Sequence, residues 1–365
     1  MKIKINRSKF LEGLKKVQNI VASKGTLQII QNVLIEAKEN KLFLTTTDLD
    51  ISIRSVVPCE IENEGATTLP AKLLVTTISK AAEGVIELES DADDKAVVTA
   101  SSAIFNIAGM NVVDFPKLPT DADTFGYTLP QMVLREMLRK TSYAASQDDT
   151  RKTLKGVLMS FQSGKLTMVA TDGRRLALVE HEVEFPADAG RDIVLPTKVV
   201  QELQRSLSSD GDVRITVEKT QVSFNLGDTQ IYSKLIDEVY PNFRQVIPGA
   251  CKERVTVERK LLLDALDRVS VMTMDESNST RLTFEANRLT VSSTAMDVGA
   301  ARDSLPIKYD GPNIEIVFNP QFVMDPLRNI DEDEVYIELN NGQSPALIKC
   351  SVPFLYVMMP LRTTN

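Results

Sequence analysis

Apolar and polar residues alternate in short runs along most of the chain. Ile51, Ile53, Ser55 and Val57 share one parity, as do Val213, Ile215 and Val217, which is the two-residue period of half-buried strands. Six windows carry the wider spacing of an amphipathic helix instead: 8–22, 71–82, 131–146, 197–208, 258–272 and 319–330. Phe10, Leu14, Val17 and Val21 line one face of the first, and Leu262, Ala265, Leu266 and Val269 one face of the fifth. No apolar run approaches the roughly 20 residues of a membrane-spanning helix. The opening MKIKINRSKF lacks the apolar core of a secretory signal, so a cytoplasmic location is expected.

The elements recur. A strand that ends in a small polar turn is followed by an apolar residue and Pro that open a helix: LFLTTTDLDISIRSVV before LPAKLLVTTISKA, LTMVATDGRRLALVE before LPTKVVQELQRSL, and LTVSSTAMDVGAAR before FNPQFVMDPLRNI. Asp48, Asp172 and Asp297 mark the turns, 124 and 125 residues apart, and Pro70, Pro196 and Pro320 mark the helix starts. A period of that length is a domain, not a solenoid repeat. Each third is expected to open with an amphipathic helix and to close on strands with a Pro-containing exit. Asp172-Gly173 and Asn341-Gly342 suit tight hairpins. The expected fold is α+β, three similar domains over residues 1–122, 123–250 and 251–365, each with two helices on antiparallel sheet. Short links near Thr120–Asp123 and Pro248–Cys251 make the domains nearly rigid relative to one another, and an arc is the natural shape.

Composition narrows the chemistry. The three cysteines, Cys59, Cys251 and Cys350, are scattered and odd in number, which suggests neither a disulfide framework nor a metal knuckle. His181 is the single histidine, in the charged run EHEVE, and reads as a surface or edge-strand residue. Dinucleotide, phosphate-loop and nucleophile-elbow motifs are missing from the sequence. The acidic pairs Asp93-Asp94 and Asp148-Asp149 sit in turn-like stretches without ligand spacing and read as solvated turns. No cofactor or metal is expected.

A net charge of −8 looks unsuited to nucleic acid, since phosphate contacts need Lys and Arg. The average conceals a partition: the six helical windows hold 14 Lys or Arg against 7 Asp or Glu, and the rest of the chain carries the acid excess. Helices on one side of an arc would make that side basic and the sheet side acidic. Solvated lysines on amphipathic helices would produce the same count.

The segments TTTDLDISIR, LPAK, DFPKLP, ATDGRRLA, YPNFRQVIP and YVMMPLR, in this order and spacing, resemble the bacterial sliding clamps, the beta subunits of DNA polymerase III, over essentially the whole chain. The resemblance implies a homodimer, joined head to tail into a ring that encircles double-stranded DNA without reading sequence. It implies no catalysis and a cytoplasmic, nucleoid-associated place. By match to the family, Lys24, Lys72, Arg151, Lys152, Lys198 and Arg205 contact phosphate, and Phe105 and Met272 meet at the dimer interface. Phe105 on its own reads equally as core. A peptide-binding pocket falls on Leu154, Thr171, Gly173, Arg174, Arg175, Leu176, Pro241, Val246, Met358, Met359, Pro360 and Leu361. Its partners would be the polymerase III alpha subunit, the clamp loader, and other polymerases and repair proteins carrying clamp-binding motifs. On chemistry alone Met358-Met359 reads as buried strand. The chain departs from the family at Lys152-Thr153, where aromatic residues are common, at Gln245 and Pro345, and in the tail Thr363-Thr364-Asn365.

Two other functions are compatible with parts of the chain. An acidic repeat scaffold without DNA would leave the basic helices unexplained. A hydrolase would need a close pair of carboxylates in a cleft, and no repeat of the sequence contains one.

Overall fold

The computed structural model describes residues 1–21, 27–118, 125–273, 279–295 and 299–362. Lys24, the turn residue Asp297, the link Thr120–Asp123 and the tail Thr363-Thr364-Asn365 lie outside them. Six α-helices stand among the described residues: α1 Arg7–Val17, α2 Ala71–Lys80, α3 Gln131–Thr141, α4 Thr197–Ser206, α5 Arg259–Ser270 and α6 Pro320–Asn329. All fall within the expected windows except for one residue at the start of α1. Asn6 caps α1 by accepting from the Ser8 and Lys9 amides, and Lys15 and Lys16 lie in its last turn, where cations offset the helix dipole. Asn319 caps α6 in the same way, with Pro320 in the first turn. A short strand precedes the first helix of each third, Lys2–Asn6, Gly126–Pro130 and Glu253–Glu258. Helix periodicity concealed these strands, because five or six residues hold only two or three inward positions, such as Ile3 and Ile5.

The chain forms two compact units, Met1–Arg135 with Gln201–Leu235, and Glu136–Val200 with Ile236–Asn365. Neither coincides with a sequence third. Each is built on an eight-stranded antiparallel sheet that joins strands of two thirds. In the first unit Ile51–Pro58 pairs with Thr229–Lys234, setting Ser52 opposite Tyr232. In the second, Arg175–Glu182 pairs with Phe354–Met358, setting Leu176 opposite Val357. A second sheet completes each unit, five strands ending at Ala103–Ala108 in the first and four ending at Gly299–Pro306 in the second. Helices cover the sheets through Phe10, Leu14 and Val17 of α1 and Leu262, Leu266 and Val269 of α5, none more than 1% exposed. Side chains of this size contribute about 1.5–3 kcal/mol each on burial.

The repeated aspartate makes the same turn in both units. Asp48 Oδ1 accepts from the Asp50 and Ile51 amides, and Asp172 Oδ1 from those of Arg174 and Arg175. The next residue takes positive φ in each, 79° at Leu49 and 85° at Gly173, a conformation glycine adopts without the strain a leucine bears. The hairpin expected at Asn341-Gly342 is instead a wider loop, in which Asn341 Oδ1 accepts from the Gln343 and Ser344 amides. His181 is half-buried near the end of its strand, opposite Leu166 on one side and beyond the Arg175–Val179 pairing on the other, in keeping with the surface or edge position expected.

Candidate docking groove and phosphate contacts

In the second unit, strand alternation sorts the candidate pocket residues onto two faces. Leu176 and Val357 lie opposite one another and pack with Leu158, Val169, Val194, Phe243 and Leu347, flanked by the partly buried Tyr240, Ile247 and Leu355. Val357 escaped the sequence reading, being one of several apolar residues in YVMM. Met358 points away from that cluster, opposite Arg175 and Ala346, and is fully buried. The strand ends there. Met359 is 42% exposed, its amide donating to the Arg174 carbonyl at 2.9 Å. Pro360 and Leu361 follow half-buried, with the Leu361 amide on the Val317 carbonyl.

The other wall comes from two loops. Leu154 and Pro241 line a cavity of about 370 Å³ with Thr150, Arg151, Lys152, Thr153 and Glu238. Thr153 donates to the Glu238 carboxylate across it. Val246, on the short turn Phe243–Val246, is 53% exposed, and Gln245 beside it is exposed. Thr171 closes the turn between the walls: its hydroxyl donates to the Arg175 carbonyl at 2.6 Å and accepts from the Gly173 amide at 3.0 Å.

The two arginines differ. Arg174 is exposed and has no side-chain partner among the described residues. Arg175 is half-buried, its side chain 11% exposed, and is ion-paired to Asp172 and Asp325. It belongs to the helix side, with its guanidinium 4.6 Å from the Phe322 ring centre. The hydroxyl of Tyr356 on that side donates to the Phe322 carbonyl at 2.8 Å. Burial raises the pKa of the Tyr143 and Tyr356 phenols, which remain neutral.

The phosphate-contact candidates are dispersed. Lys72, Lys152 and Lys198 are exposed, though desolvation by the protein around the Lys198 ammonium lowers its pKa. Arg151 pairs with Asp148 at 3.4 Å and donates to the Asp172 carbonyl at 3.1 Å, so this cation braces the turn of the groove. With Lys152 it shares the cavity of Leu154 and Pro241. Arg205 pairs with the buried Glu202 at 3.3 Å and lines a cavity of about 780 Å³ in the first unit with Lys15 and Lys16. Lys16 is held by Glu12 at 3.2 Å and Asp228 at 2.8 Å. The two α1 lysines were legible only as part of a basic helix.

Phe105 is half-buried on the outermost strand of the five-stranded sheet, beside Ile104 at 65% exposure. Met272 is half-buried just beyond α5, and its sulfur lies 3.8 Å from where a Cβ on Gly299 would stand, against the outermost strand of the four-stranded sheet. Among the described residues no cluster of His, Cys, Asp and Glu could hold a metal ion, and no helix is long and apolar enough to cross a membrane.

Family profiles of the DNA polymerase III beta subunit match three consecutive stretches: the N-terminal domain over residues 1–119, the central domain over 128–242 and the C-terminal domain over 244–362. The beta sliding clamp of Chlamydia muridarum is 31% identical over 362 residues, covering 99% of each chain. The sliding clamp of Pseudomonas aeruginosa, solved bound to griselimycin, superposes with a TM-score of 0.96 at 28% identity over 100% of both chains. That of Bartonella birtlesii, also bound to griselimycin, does so with a TM-score of 0.95 at 33% identity and the same coverage.

Proposed function

The chain belongs to the DNA polymerase III beta-subunit family and is a sliding clamp, a replication processivity subunit without catalysis of its own; from that premise we propose how its residues do the work. Three domains, residues 1–122, 123–250 and 251–365, form each half of a ring, and two copies close it head to tail around duplex DNA in the cytoplasm. The outermost strand carrying Phe105 in one copy meets the Met272 end of the third domain in the other. Lys24, Lys72, Lys152, Lys198 and Arg205 make weak phosphate contacts, assisted by Lys15. Without base readout, such contacts let the ring slide. Arg151 contributes mainly to the groove.

Partners dock between Leu176 and Val357 on one side and Leu154, Pro241 and Val246 on the other, with Met359, Pro360 and Leu361 at the rim. An apolar floor with adaptable methionine and fixed prolines suits a short peptide presenting Leu or Phe, and exposed Arg174 suits its carboxylate. The polymerase alpha subunit, the clamp loader and repair proteins would compete for this groove, and griselimycin would seat there too. A tethered polymerase gains processivity because its effective concentration at the template stays high.

The observation that carries the ring reading is the threefold recurrence of a helix pair on antiparallel sheet, basic-biased in the first two thirds and neutral in the last, in a chain matched end to end by known clamps. Retention tests it. The protein is loaded with its clamp loader and ATP on nicked circular DNA, and loading is confirmed at low salt. At high salt it should remain on circles and leave the same DNA once linearised. Equal release from both forms would overturn the ring.

A further inference from the structure

The turn that carries Gly173 and Arg174 at the groove is held from the opposite side of its sheet. The Asp172 carboxylate accepts from the Arg174 and Arg175 amides at 2.8 and 3.0 Å through one oxygen, and from Arg175 Nε at 3.0 Å through the other. Arg175 then reaches α6. Nη1 donates to the Asp325 carboxylate, Nη2 to the Tyr143 carbonyl at 2.8 Å, and the plane lies over the Phe322 ring at 4.6 Å. Side-chain exposures are 11% for Arg175, 18% for Asp172 and 15% for Asp325. All three guanidinium nitrogens are therefore spent inside the protein, which leaves Arg174 as the cation this turn offers a ligand.

We propose that Asp325, outside the groove on α6, is a positioning residue for partner docking: through Arg175 it fixes the Asp172–Arg174 turn so that Arg174 meets the carboxylate of an incoming peptide. This rests on the reading of the groove as the partner site. A guanidinium always carries its charge, and a buried one that loses a carboxylate partner rearranges to find another. The carboxylate that remains to it is Asp172, already paired through Nε, and a stronger pull on that group would draw it off the turn amides. A turn ordered beforehand spares the ligand the entropy of ordering it, and that saving is what Asp325 supplies.

The probe is a labelled synthetic peptide ending in Leu-Phe, prepared with a free terminal carboxylate and as the amide, titrated against the full chain. Wild type should prefer the acid form. Leu361→Ala should weaken both forms, and Arg174→Ala should abolish the preference. Asp325→Asn should weaken the acid form about tenfold, as expected when two coupled groups lose ~1.4 kcal/mol, while changing the amide form little. It should also speed hydrogen exchange at the Arg174 and Arg175 amides. Phe322→Leu, which keeps both charges, should act in the same direction more weakly, and it decides the matter should Asp325→Asn not fold.

If Leu361→Ala leaves both peptides unaffected, the groove reading itself fails. If Leu361→Ala weakens binding but Asp325→Asn and Phe322→Leu retain both the acid preference and the amide protection, the positioning role is overturned. A wild-type protein indifferent to amidation overturns it as well.

Discussion

On the strand Phe354–Met358 the last side chain is enclosed between Arg175 and Ala346, whereas Met359, one residue on, is exposed with only its amide tied down. Removing the Met358 side chain would leave a cavity, and Met358→Ala should cost about 2–5 kcal/mol in chemical denaturation. Met359→Ala should stay within about 0.5 kcal/mol of wild type yet weaken peptide binding, and the double change of Met359 and Leu361 to Ala should abolish polymerase stimulation while leaving the dimer intact. Denaturation midpoints and a peptide titration separate the two neighbours. A Met358 variant of unchanged stability would mean that its side is not core. On chemistry alone the sequence read both methionines as buried strand. It could not separate them, because the parity is fixed by the Leu176–Val357 register between strands of two different thirds of the chain. Arg175, expected in the pocket by match to the family, sends its guanidinium to Asp325, 150 residues away, a pairing that no local pattern encodes.

Helix positions were legible because each has a local cause: an apolar stripe, a capping Asn or a Pro at the start. The eight-stranded sheets were not, since their central pairings join residues far apart in sequence and no local pattern encodes them. The outermost strands pose the element-scale question. Ala103–Ala108 and Gly299–Pro306 end their sheets with one backbone edge that has no neighbouring strand among the described residues, a liability unless something pairs with it. Pairing of one with the other between two copies would continue the sheet, bringing Phe105 and Ile104 against the Met272 end of α5. Aromatic and Met side chains at such centres carry much of the binding energy. Phe105→Ala combined with Met272→Ala should weaken the dimer about a hundredfold or more, corresponding to a loss of ~3 kcal/mol, and yield monomers in sedimentation velocity at micromolar concentration with unchanged far-ultraviolet circular dichroism. A dimer that survives both changes would move the interface elsewhere.

For the whole molecule the question is what holds DNA: charge or enclosure. An overall −8 opposes free attachment to a polyanion, and several cations are already spoken for: Lys16 by Glu12 and Asp228, Arg205 by Glu202, Arg151 by Asp148. Exposed Lys72 on α2 and Lys198 on α4 stand at the second positions of two repeated helices, each two residues after the Pro of its repeat. Counterion release then separates the mechanisms. In direct binding to short linear duplex at low salt, Lys72→Gln should lower the slope of log affinity against log salt by about 1, and Lys198→Gln should lower it as well. Arg205→Gln should lower it less, because its charge is partly cancelled by Glu202. None of the three should change how long loaded protein stays on closed circles at high salt, where phosphate contacts are screened and only the closed path of the ring remains. If the Lys72 and Lys198 variants left circles as readily as linear DNA, the hold would be the sum of those contacts. The −8 chain would then need a basic surface larger than its helices supply, which is why enclosure is the reading that agrees with the charge.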